Sequence, residues 1–201
     1  MARVPAAQRR QQLIEAAFRV MERDGVAAAT TRAIAAEAGA PLASFHYCFS
    51  SKEELMRELT PALLDGMLSG GVGGIPPGGD VREIIHDGLQ GIWATIEATR
   101  DEQHVLYEFT QVALRNPELE DLARAQYDRY FAVGIAFLEE VRTAAGIEWS
   151  VPIEVVGRMM VSFIDGLALG WVVDGDTALA RAAVDAFADG LAVLAVPASA
   201  A

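Results

Sequence analysis

The stretch TTRAIAAEAGAPLASFHYCFSSKEEL, Thr30–Leu55, decides how the rest of the chain reads. Ile34, Ala35 and Ala38 recur at helical spacing before Gly39, and glycine tolerates the left-handed backbone that ends a helix. Thr30 precedes that run and is placed as its N-cap. Pro41 suits the first turn of a second short helix, about Pro41 to Cys48. Ser51-Lys52-Glu53-Glu54 is a capping box for the next helix, with Ser51 as cap and Glu54 three residues on. Two short helices joined by a tight glycine-containing turn make a helix-turn-helix. Phe45 and Phe49 are four apart and share a face. That face is expected to point into a small core against Phe18, Ile34 and Ala38. Ser44, Tyr47 and Cys48 are expected nearer the outward face, with His46 on the flank.

The same spacing rules extend outward. A helix from about Ala7 to Arg23 carries Leu13, Ala17 and Val20 on one apolar side and stops at Asp24-Gly25. The helix after Ser51 is expected to reach Leu64 or Leu68, past Pro61. In Asp65–Asp80, seven of sixteen residues are glycine and two are proline, which opposes helix and predicts a flexible connection. Five more helical patterns follow: about Val81 to Thr99, Glu102 to Arg115, Pro117 to Ala145, Ile153 to Val173 and Thr177 to Leu194. Strand-like alternation is hard to find. The expectation is an all-α chain of about nine helices. Its three-helix DNA-binding domain would occupy residues 1–55, and a larger helical domain residues 56–201.

Composition narrows the functional classes. The chain has 201 residues, 52% of them hydrophobic, and its one cysteine, Cys48, excludes an internal disulfide or a cysteine-based zinc cluster. His46, His86 and His104 lack ligand spacing, so no metal is expected. The start of the chain lacks the apolar core of an export signal. The apolar run Val155–Val173 is interrupted by Arg158 and Asp165 and reads as a buried amphipathic helix rather than a membrane span. The expected location is the cytoplasm, with no membrane partner. The net charge is −12, but residues 1–60 hold eight basic against seven acidic side chains. The acid therefore lies in the remainder, and any phosphate binding must come from the N-terminal part.

At this point the chain resembles a family. Ile34-Ala35, Ala38-Gly39, Phe45, Phe49 and Ser51-Lys52-Glu53-Glu54-Leu55 look like the DNA-binding domain of the tetracycline-repressor (TetR) family of bacterial transcriptional regulators. The resemblance covers residues 9–60 closely, and FIDGLALGWVVDGD, Phe163–Asp176, is similar to later helices of many members. One position departs: the aromatic after Phe45 is usually a tyrosine that contacts phosphate, and here it is His46. The phosphate contact then falls to His46 by its ring N–H or to Tyr47.

The resemblance implies a set of roles. Thr31 opens the second helix against phosphate, and Arg32 reaches a guanine edge. Leu42, Ala43 and Ser44 open the recognition helix and face bases. Tyr47 and Lys52 clamp the backbone, and Lys52 is the single lysine of the chain. Arg3, Arg9 and Arg10 add phosphate or minor-groove contacts. The last two long helices pair with their twins in a homodimer through Met159, Phe163, Leu167, Gly170 and Trp171, then Val184, Phe187 and Leu191. A small-molecule pocket is implied among the middle helices, with Trp93, His104, Tyr107, Glu108, Gln111, Tyr127, Phe131 and Phe163 as candidates.

Together these imply a ligand-responsive repressor, released from a palindromic double-stranded operator by a small-molecule effector, with no cofactor. The alternatives are a DNA-binding regulator without an effector and, from a different class, a helical enzyme. No nucleophile elbow, phosphate loop or paired metal-ligand motif supports the enzyme.

Overall fold

The computed structural model describes residues 5–68 and 75–198. Among them the chain forms nine α-helices: α1 (Ala6–Asp24), α2 (Thr31–Glu37), α3 (Leu42–Cys48), α4 (Lys52–Leu68), α5 (Val81–Ala98), α6 (Arg100–Ala113), α7 (Glu120–Ala145), α8 (Ile153–Asp174) and α9 (Thr177–Ala192). The all-α expectation stands with one addition. Strands β1 (Ile147–Trp149) and β2 (Ala195–Pro197) pair antiparallel, with Glu148 opposite Val196. Three residues are too few for an alternating pattern to show in sequence.

The helix ends follow local chemistry. Gly25 closes α1 at φ 87°, with its N–H returned to the Met21 carbonyl, and a single 3-10 turn (Val26–Ala28) leads on. The Thr30 hydroxyl caps α2 by accepting the Ala33 N–H at 3.2 Å. Gly39 turns the chain at φ 59°. Pro41 precedes α3 in an extended conformation instead of sitting in its first turn. At α4 the Ser51 hydroxyl accepts the Glu54 N–H at 3.1 Å. The return half of the box goes elsewhere: Glu54 takes the N–H and hydroxyl of Ser50 at 2.7 and 2.6 Å. Helix α7 starts three residues later than its pattern because the Asn116 side chain accepts the Glu118 N–H in a local turn. The centre of the expected glycine-rich connection, 69–74, lies outside the described residues, as does Arg3.

The chain forms two compact units that do not follow chain order. One comprises the described residues through Asp65 together with Asp101–Gln126; the other comprises Gly66–Arg100 and the described residues from Tyr127 onward. The core of the first unit joins Leu13, Val20, Ile34, Phe45, Phe49 and Leu55 to Val105 and Phe109 of α6 and to Leu119 and Ala123. In the second unit α5 packs along α9. Their rims are tied by Arg82 to Asp189 at 2.5 Å and by Arg181 to Glu97 at 2.8 Å. Gly88 lets the Phe137 ring lie where a Cβ would stand. Trp93, Leu138, Val184 and Leu191 fill the interior.

Helix α8 differs from its expected burial. It is long and apolar enough to cross a membrane, by length and composition, yet only 33% of its most apolar window is buried. Val155, Met159, Leu169 and Val173 are exposed along it.

Candidate nucleic-acid interface

The α2–turn–α3 pair is pinned from inside. Phe45 and Phe49 are fully buried, their rings 5.6 Å apart, in one cluster with Ile34. Burying two phenylalanines contributes several kcal/mol at roughly 25 cal/mol per Å², so α3 has one stable rotational setting. That setting exposes Tyr47 to 71% and leaves Ala43 and His46 exposed. The His46 ring meets the edge of Phe45 at 5.6 Å and 80°. Ser44 is half-buried, and Leu42 is half-buried because it packs against the same core. Cys48 departs from expectation: it is buried, not outward. Three residues after Phe45 and next to Phe49, it falls on the core stripe.

Most cations of this unit are already engaged. Arg10, expected at phosphate, instead pairs with Glu54 and Glu58, donates to the Cys48 carbonyl, and lies 4.2 Å over the Phe49 ring. Hydrogen bonds from Ser50, then Arg10, pull the Glu54 carboxyl down to about 2. Arg19 and Arg23 reach Glu37 at 3.0 and 2.9 Å and tie α1 to α2; Arg23 first, then Arg19, holds the Glu37 carboxyl below the usual range. Arg57 pairs with Asp121 at 2.6 Å. Arg9 and Arg32 form no ion pair among the described residues, and Arg32 is exposed at the start of α2 beside half-buried Thr31.

Lys52 is held rather than free. Its ammonium donates to the Val26 carbonyl at 2.8 Å, and burial pushes its pKa down. An ammonium has three donors, so two remain for a phosphate at the α4 N-terminus. The Val26 N–H in turn donates to the Glu108 carboxylate of α6 at 2.7 Å. Glu108, a candidate ligand-orienting group, thus also brackets the turn after α1.

The remaining ligand candidates divide between the two units. His104 and Gln111 are exposed on α6 and Tyr107 is half-buried there. In the second unit Trp93 is fully buried and meets Trp171 edge-on at 5.8 Å. The Tyr127 hydroxyl donates to Asp165 at 2.7 Å; burial, then this bond, raises the tyrosine pKa. Phe131 lies 3.9 Å beneath the Arg158 guanidinium, and Phe163 stacks on Phe187 at 4.0 Å and 5°. A pocket of about 490 Å³ in this unit is lined by Glu139, Arg142, Glu148, Trp149, Pro152 and Ile153, none of which the sequence singled out.

The candidate dimer residues fall into two groups. Met159 and Gly170 are exposed, and Phe163, Leu167 and Phe187 are half-buried. Trp171, Val184 and Leu191 are buried within the chain. The outward stripe is a neighbouring helical phase: Val155, Met159, Leu169 and Val173 on α8, and Leu179 on α9, with Val193 just after its end. Both stripes are apolar at helical spacing, so periodicity alone does not choose between them.

Residues 13–59 match the family described as bacterial regulatory proteins, tetR family, and residues 81–196 match the BetI-type transcriptional repressor, C-terminal. The chain is 36% identical over 174 residues to the HTH-type nicotine-responsive transcriptional repressor HdnoR of Paenarthrobacter nicotinovorans, covering 86% of this chain and 88% of that one. It is similar to a transcriptional regulator from Rhodococcus sp. Rha1, with TM-score 0.73, 24% identity and coverage of 94% and 99%. It is also similar to the multidrug binding protein EbrR, solved as a complex with imidazole, with TM-score 0.61, 26% identity and coverage of 95% and 97%.

Proposed function

This chain belongs to the tetR family of bacterial regulatory proteins, and we propose that it is a cytoplasmic, dimeric, ligand-responsive repressor of transcription. The observation that carries the DNA contact is the outward face of α2 and α3, with Arg32, which forms no ion pair among the described residues, and exposed Tyr47 set by buried Phe45 and Phe49. In this reading residues 1–55 dock on the operator and residues 56–201 sense and dimerise. Helix α3 enters the major groove with Ala43 and Ser44 toward bases. Arg32 reads a guanine edge, and Thr31, Tyr47 and the two spare donors of Lys52 hold phosphates. His46 stands beside Tyr47 and shares that contact.

Dimerisation is supported by the exposed apolar face of α8 and α9. Gly166 and Gly170 leave open space beside the α8 backbone, which suits close approach of a second copy. A two-fold dimer presents two recognition helices to half-sites one helical turn apart, roughly 34 Å. An effector that binds better to a conformer with another separation releases the DNA. HdnoR is named for its response to nicotine and EbrR was solved with imidazole and with proflavin. These nitrogen heterocycles are the first effectors to try on an acidic body.

The test is an electrophoretic shift with the DNA upstream of the chain's own gene. A sequence-specific complex that nicotine, imidazole or proflavin dissolves is the expected outcome. Binding that ignores sequence across every palindromic fragment overturns the reading.

A further inference from the structure

Val26 is held on both sides of its Cα. Its N–H donates to Glu108 of α6 at 2.7 Å and its C=O accepts from Lys52, the first residue of α4, at 2.8 Å. The residue itself is buried, and it opens the turn that leads into α2. Gly25 before it sits at φ 87°, and a Cβ there would come within 3.0 Å of the Glu108 carboxylate. A Cβ there would crowd this carboxylate, and the positive φ already favours glycine. Helix α6 belongs to the same compact core through Val105, Phe109 and Ala113. The Glu108 carboxylate, 82 positions away in sequence, is thus a part of this turn.

We propose that Glu108 is a positioning residue for DNA binding: by fixing Val26 it holds Lys52 and the start of α2 in the register that meets phosphate. The proposal rests on the DNA-binding reading above. Both bonds converge on one residue, so neither Lys52 nor the chain leading to Thr31 and Arg32 can move without breaking one of them. A bond between a charged group and a peptide is stronger than a neutral one, and the turn offers the Val26 N–H no helical acceptor in exchange. Helix α6 thereby acquires a direct grip on the DNA-facing groups, separate from the covalent path through α4.

The proposal makes an expectation opposite in sign to simple electrostatics. Removing an acidic side chain from a DNA-binding unit ordinarily tightens binding, because phosphates are repelled less. Glu108→Ala instead is expected to weaken binding to the specific upstream fragment about ten-fold, the loss of one charge-assisted bond. Glu108→Gln keeps an oxygen acceptor for the Val26 N–H while removing the charge, and is expected to bind at least as well as the parent. Far-UV circular dichroism and melting curves confirm that both variants are folded at the assay temperature. Lys52→Ala on top of Glu108→Ala is expected to cost less than the product of the two single losses, since both act through one residue. An alanine variant that binds as tightly as the parent or tighter overturns the proposal. So does a glutamine variant as weak as alanine, or a multiplicative double mutant. Failure of the parent chain to form a specific complex is a separate result and counts against the DNA-binding reading itself.

Discussion

Helices α2 and α3 spend their bulky apolar residues inside, whereas α8 and α9 bury some of theirs and leave others outside. In the first pair Phe45 and Phe49 are buried and the exposed side chains are Tyr47, His46 and Arg32. In the second, Val173 and Leu179 stand 80% and 64% exposed, and Val193, just past the end of α9, 78%. Both pairs are short of a partner, and the chemistry of what they expose says which kind. Hydroxyl, imidazole and guanidinium groups cost little to keep in water and find partners on phosphates and base edges. A row of valines, leucines and methionine is stable only when another apolar surface covers it. In the proposed reading one chain carries two interfaces of opposite character, and the acidic balance of the larger part keeps DNA at the first.

The largest expected effect tests the buried side of that contrast. Phe45→Ala removes a ring from a closed core and is expected to destabilise the first unit by about 3–5 kcal/mol, read as loss of its melting transition and of all DNA binding. A variant that melts like the parent would remove Phe45 as the pin of α3. Next comes the exposed apolar face. Leu169→Arg is expected to shift the protein from dimer to monomer in light scattering, by about 2–4 kcal/mol of association free energy, while leaving its helicity intact. A dimer that persists points to another surface.

Smaller effects probe the polar face. Arg32→Ala is expected to cost about 1–3 kcal/mol and to relax preference at one base pair; equal losses on all sequences would reassign it to the backbone. Tyr47→Phe deletes one hydroxyl and is expected to cost about 1 kcal/mol or less, uniformly over sequences.

The smallest effect is a pH dependence at the α4 cap. Ser50 and Arg10 hold the Glu54 carboxyl at about 2 in the folded chain, against 4.5 for the free side chain. The folded value is depressed, so its contribution is fully present above the ordinary carboxylate pKa. It is lost as pH falls toward about 2. Acid melting of Glu54→Gln compared with the parent is the measurement, and the parent should lose more stability over that interval. Parallel curves would mean that the Ser50 and Arg10 bonds contribute nothing.

Much of the DNA-binding half was legible because its signals are local. Thr30 as cap, Gly25 and Gly39 as stops, and Ser51 as cap to the Glu54 N–H act within four residues and have their expected places; only the return bond of Glu54 goes to Ser50. The burial of Phe45 and Phe49 followed from a four-residue spacing. Cys48 was misjudged because the same stripe admits a third residue at i+3, and a thiol is small enough to enter the core. The ligand and dimer candidates were less legible. Trp171, Val184 and Leu191 lie on an apolar stripe that the chain itself covers, and Val155, Leu169 and Val173 on one that it does not.

What the sequence determined by itself is the series of helices, their caps and the helix-turn-helix, since hydrogen-bond periodicity and capping depend on neighbours along the chain. What only the tertiary structure decided is where long side chains go. Arg10 pairs with Glu54 and Glu58, Lys52 spends a donor on Val26, and Glu108 holds that same residue. The physical reason is range. A charged group is captured by whichever partner folding brings within about 3 Å, and partners 26, 48 or 82 positions apart leave no periodic trace in the chain.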